Sequence, residues 1–258
     1  MLSTPVREAV PGGPSAPHRD ELNFVKLGAV GAILLGVSSF VFFALAGATS
    51  KHNSPSEIAQ FLTDMAGKPG LAVIWAWAQA WLGILTVPLY LGLYLSLRRF
   101  SQSYMLLALV TGVMWGIALI LVTPSLFALV YYLAPAWAHE ADVASRVGLL
   151  NMATTMMWGI VTQISIVFFL RAISIIAASR AMLIRGGRQW TLLGWLGIAF
   201  GIEHLLGGVL HQTVIQGGVN TLLGTVGGVM LIVWLVGAGV GLWRLPREAP
   251  EQVLVRGG

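Results

Sequence analysis

Residues 105–133 read MLLALVTGVMWGIALILVTPSLFALVYYL, a stretch without one charged side chain. A helix needs about 20 mostly apolar residues to cross a hydrocarbon core about 30 Å thick, so this run is long enough to span a membrane. It is far too long for one strand of a membrane barrel, and it lacks the alternation such a strand shows. Working outward in both directions, five more runs have the same character. The predicted spans cover residues 26–47, 71–97, 103–132, 148–176, 191–211 and 218–243. The composition agrees: 57% of the 258 residues are hydrophobic and 10% are charged, against about 25% charged in soluble domains. The expected fold class is all-α, a polytopic membrane bundle of six helices.

Charge distribution sets an expected orientation. Basic residues near span ends stay cytoplasmic. Placing the N-terminus inside gathers Arg7, Arg19 and Lys26, the pair Arg98 and Arg99, the group Arg171, Arg180, Arg185 and Arg188, and finally Arg244, Arg247 and Arg256 on the inner face. Only Lys51, Lys68 and Arg146 fall outside. Both termini are therefore expected in the cytoplasm and the chain in a bacterial inner membrane. Residues 1–25, rich in Pro and Gly, read as a flexible tail without the apolar core of a signal peptide, and residues 244–258 as a C-terminal tail. The basic residues punctuate the apolar runs and form no single basic face, which excludes a nucleic-acid partner. The expected partners are the bilayer and, in one reading, another membrane protein.

Between the first two spans, Ser54, Pro55 and Glu57 form a helix-start signal, with Ser54 as cap. Ile58, Phe61, Leu62 and Met65 then recur at helical spacing. This predicts a short amphipathic helix lying on the outer membrane surface. Gly28, Ala32 and Gly36, Gly112 and Gly116, Gly197 and Gly201, Gly224 and Gly228, and Gly237 and Gly241 put small residues four apart. That pattern predicts close helix packing within the chain. Pro88 and Pro124 lie inside spans and predict kinks.

Three groups of polar residues are candidates for chemistry. Glu203 is the one acid inside a span, followed by His204, with His211 one heptad later on the same face. A charged carboxylate in hydrocarbon costs several kcal/mol unless paired or hydrated, so intramembrane acids are functional candidates. No Lys or Arg is expected at the same depth. Glu203, His204 and His211 are the proton or substrate candidates, the alternative being a protonated Glu203 bonded to a neighbouring helix. Asn151, Thr155, Thr162 and Ser165 form a stripe on span four, and Gln79 and Thr86 on span two are the opposing candidates for a polar cavity; ordinary interhelical hydrogen bonding explains the same residues. His52, His139 and His211 on the outer side are the metal candidates, although their spacing matches no zinc motif.

No cofactor is implied. His204 and His211 share one helix, which does not suit a bis-histidine haem in one protomer. The chain has no cysteine, no phosphate-binding GxxxxGK[ST] loop, no HExxH and no GxSxG. An enzymatic role is not indicated.

The layout resembles the bacterial six-span proteins grouped as domain of unknown function 4386. The resemblance lies in the short helix from Ser54 to Met65, in Leu109, Val110, Gly112 and Trp115, in Leu192, Gly194, Trp195 and Gly197, and in Trp234 and Trp243. It implies the six-span fold and carries no site residue with it. The expected function is that of a multi-pass membrane protein, a small-solute or proton-coupled transport or accessory protein. The alternatives are a structural or interaction subunit of a membrane complex and, more distantly, a haem- or metal-binding membrane protein.

Overall fold

The uncharged run from Met105 forms one helix with no interruption until its C-terminal end. In the computed structural model, which describes residues 19–49, 55–213 and 218–248, it lies in α4 (Gln102–Ala128). The chain continues in π-helical geometry over Leu129–Leu133 and then as α5 (Ala134–His139). The remaining elements are α1 (Arg19–Thr49), a single 3-10 turn (Pro55–Glu57) leading into α2 (Ile58–Gly67), α3 (Pro69–Leu97), α6 (Val143–Arg185), α7 (Arg188–Thr213) and α8 (Gly218–Glu248). The described chain is all-helical.

Among the described residues, five stretches are long and apolar enough to cross a membrane: Asp20–Ala46, Pro69–Leu97, Gln102–His139, Val143–Arg185 and Thr225–Leu245. The chain is therefore membrane-embedded. Helix α7 has 26 residues, enough to cross, but Gln189, Glu203 and His204 reduce its apolar character.

Several helices outrun their predicted spans. Helix α1 is described from Arg19, seven residues before the predicted span, with Asp20 and Glu21 in its first described turn. Glu21 also accepts from Arg98 at 2.7 Å. Helix α8 continues to Glu248. The largest difference is α6, 43 residues long and so about 64 Å from end to end. Nothing breaks it before Gly186 and Gly187, the two positive-φ residues of the described chain (71° and 84°), a conformation glycine adopts without steric cost. At its other end Asp142 caps the helix, its carboxylate accepting from the Ser145 backbone N–H at 2.8 Å.

The six long helices pack as a closed ring in which α1 touches α3, α3 touches α4, and α4, α6, α7 and α8 follow in turn back to α1. Trp115, Trp234, Tyr90 and Phe200 fill its centre. Glycines make the close approaches, all within the chain. A Cβ on Gly28 would lie 2.6 Å from the Gly92 Cα, and one on Gly83 would lie 2.7 Å from the Gly116 carbonyl oxygen. Gly197 lies under the Trp234 indole where it donates to Ser179 Oγ (3.2 Å), joining α6, α7 and α8. Gly224 is outside the residues whose side-chain surroundings are described.

A second core sits around α2. The four apolar residues of α2, Ile58, Phe61, Leu62 and Met65, are buried there with Leu126, Leu129, Leu133 and Met157. This corrects the expectation of a helix resting on lipid: its apolar face is covered by α3, α5, α6 and the π segment. The Glu57 side chain makes no cap bond to α2, and Ser54 lies outside the described residues. Trp137 donates to Thr63 (3.1 Å) and Trp77 to Tyr131 (3.1 Å), while Lys68 bonds the Ala48 carbonyl near the end of α1 (2.7 Å).

Candidate functional site

Arg171 is the centre of the site. Its local sequence, VFFLRAISII over residues 167–176, is apolar on both sides. The sequence expectation placed this arginine at the inner end of a span finishing at residue 176. Because α6 runs on to Arg185, Arg171 instead lies about 21 Å inside the helix end. His204 lies about 24 Å from the start of α7. The two positions are nearly equidistant from the glycine turn that joins α6 to α7, so the antiparallel hairpin brings them together.

Arg171 is 7% exposed and its Nη2 meets His204 Nε2 in a hydrogen bond. This overturns the expectation that no cation lies at the depth of Glu203 and His204. A guanidinium only donates, so Nε2 accepts and the imidazole N–H is on Nδ1. Nδ1 faces Glu203 Oε2 at 3.4 Å. The order is therefore arginine to histidine to glutamate, across α6 and α7.

Aromatic rings wall the arginine. Its guanidinium carbon is 5.1 Å from the Phe168 ring centre, 5.6 Å from Trp115 and 6.0 Å from Phe200. Such contacts stabilise a desolvated cation by about 2 kcal/mol. The same rings hold the imidazole, which stacks on Phe200 at 4.6 Å and meets the edge of Phe168 at 4.7 Å. One turn along α6, Ser174 Oγ donates to the Arg171 carbonyl (2.8 Å) and lies 2.6 Å from the Tyr90 hydroxyl of α3. Glu203 reaches α8 where there is no side chain to meet: a Cβ on Gly227 would lie 2.5 Å from Oε2. Glu203 is 18% exposed and His204 15%. Two buried donors in this cluster, Arg171 Nε and Trp115 Nε1, have no acceptor among the described residues.

The other sequence candidates fall elsewhere. Asn151, Thr155 and Thr162 are exposed on the outside of α6, and Thr155, Thr162 and Ser165 bond back to carbonyls four residues earlier. Gln79 and Thr86 are buried in α3, Thr86 bonding the Leu82 carbonyl. The two groups do not face each other across a shared cavity. His139 is exposed at the end of α5, His52 is outside the described residues, and the side chain of His211 is too. The described residues contain no group of three His, Asp or Glu placed to hold a metal.

Arg171, Tyr90, Ser174 and Trp115 are the members the sequence reading missed. The signal for Arg171 was present: no glycine or proline separates it from Arg185, so the helix had no reason to end before it.

Comparisons with curated proteins and with solved structures give no match. A protein family covers most of the ring, matching residues 29–239 from α1 to α8. The chain belongs to that family, described as Domain of unknown function (DUF4386).

Proposed function

We propose that this is a six-span protein of the bacterial inner membrane, with α7 as the sixth crossing and both termini cytoplasmic, and that Arg171, His204 and Glu203 form an intramembrane site exchanging a proton during movement of a small solute. The observation that carries the reading is His204 standing between a buried arginine and a glutamate. Charged groups are costly in hydrocarbon, and where they occur they pair and mark proton or substrate paths. The bundle does not need them for cohesion, since buried ion pairs are often replaceable by apolar groups without loss of stability.

Infrared difference spectroscopy between pH 5 and 8 tests the site. The wild-type protein is expected to show a carboxyl band that disappears in Glu203→Gln. Identical spectra for the two proteins would remove the proton role. The topology has its own test: the native chain has no cysteine, so single cysteines placed in the tails and at Ala138 are unique labels. The tails should react only from inside and residue 138 only from outside.

The packed interior favours a second reading, a structural or interaction subunit, because Trp115, Trp234 and Tyr90 occupy the ring's centre. Two grooves on the bundle, one along α1 and one between α1 and α8, are lined by other residues. Solute-driven proton flux in proteoliposomes, lost in Glu203→Gln, separates the two readings.

A further inference from the structure

The site just described contains more donors than acceptors. Arg171 uses Nη2 on His204, yet its Nε–H finds no acceptor among the described residues, nor does the Trp115 indole N–H. Both side chains are more than nine-tenths buried. Native proteins seldom leave buried donors unmatched, and in a low-dielectric interior such a group is costly.

We propose that Arg171 binds a small monovalent anion, and that the anion enters together with a proton taken up by Glu203. The inference rests on the proton-exchanging reading above and names the solute class. Its physical basis is charge balance. With Glu203 ionised, Arg171 and Glu203 cancel through the intervening imidazole. Adding an anion would leave one uncompensated negative charge inside the bundle. Protonating Glu203 frees the arginine's charge for the anion, and the site is neutral in total again. One proton and one anion then bind as a pair, with no covalent step.

The surroundings fit this chemistry. Among the described residues, the groups facing Glu203 and Arg171 are few. Helix α3 presents the Tyr90 hydroxyl, α4 the Trp115 indole, α6 Arg171 itself and α7 His204, while α8 presents Gly227, which has no ionisable group. Aromatic walls at Phe168 and Phe200 limit the room beside the guanidinium. The occupant expected is small and singly charged, either a halide or a short carboxylate.

The test is calorimetric titration of the full chain in neutral-lipid nanodiscs, with chloride and with acetate in separate series, from pH 5 to 8. Binding is expected to strengthen as pH falls, by up to about tenfold per unit where Glu203 takes up its proton, because coupling between two sites is reciprocal. In Glu203→Gln the site should bind at the tight, low-pH level throughout. Arg171→Lys should weaken binding at least about tenfold while keeping the charge, since it removes the planar donor set. Saturation by chloride alone assigns a halide, and saturation by acetate alone assigns a carboxylate. No saturable binding of either by folded wild-type and Glu203→Gln proteins overturns the proposal, as does the same pH dependence in both. If the infrared carboxyl signal persists without anion binding, the proton reading stands and this inference fails. If pH-linked binding occurs without flux in proteoliposomes, the site stands and the transport reading fails.

Discussion

The two cores of this bundle solve the same packing problem with different chemistry. Around α2, Ile58, Phe61, Leu62 and Met65 meet Leu126, Leu129 and Met157, all apolar and all buried. In the ring centre, equally buried, a guanidinium stands among aromatic rings with an imidazole and a carboxylate beside it. The core around α2 shows that apolar side chains suffice to join these helices. The polar centre of the ring therefore reflects a demand other than cohesion, which is the physical reason to look there for function.

Breaking the ring's centre should have the larger effect. His204→Leu leaves the Arg171 charge buried without its acceptor, expected to cost about 3–5 kcal/mol. Adding Arg171→Met should recover most of that loss, as apolar replacements of buried charged groups often do. Reversible unfolding in mixed micelles measures both. If the double variant is no more stable than the single one, His204 is not what holds the arginine.

The core around α2 should respond more simply. Leu62→Ala removes buried apolar atoms and is expected to cost about 2–5 kcal/mol, depending on how far the site collapses. Hydrogen exchange should locate the damage in α2 and the N-terminal part of α6, with the carboxyl infrared signal unchanged. A change in that signal would mean the two cores are coupled, and the contrast between them would fail.

The smallest effect belongs to the cap that starts α6. The Ser145 backbone N–H holds the Asp142 carboxylate below the usual range. A carboxylate lowered in the folded state contributes stability that is complete above its unfolded value and lost as pH falls through the folded one. Exchange protection of the Ser145 amide should therefore decline on acidification below the ordinary carboxylate range. In Asp142→Asn it should not vary with pH.

Much of the architecture was legible because membrane crossing is written in long apolar runs. The run from Met105 to Leu133 identified its helix, and the spacing of Ile58, Phe61, Leu62 and Met65 identified α2. The destination of α2's apolar face was not legible, since lipid and protein are equally suitable covers for it. At the site, Glu203 and His204 stood out as polar residues within an apolar run. Arg171 did not, because arginine near a span end ordinarily marks the cytoplasmic boundary. Only the unbroken course of α6 moves it inside. The ordering of Arg171, His204 and Glu203 depends on a contact across two helices, which no spacing along one chain encodes.

The near-equal distances of Arg171 and His204 from the Gly186–Gly187 turn have a mechanical meaning. The contact acts as a single notch that registers α7 against α6. A slip of α7 by one turn, about 5.4 Å, would bring Phe200 or Gly208 opposite the guanidinium in place of the imidazole. Neither a phenyl ring nor a glycine offers a side-chain acceptor. Sliding between these helices, by a full turn or by part of one, is thus penalised by a charge that has lost its acceptor.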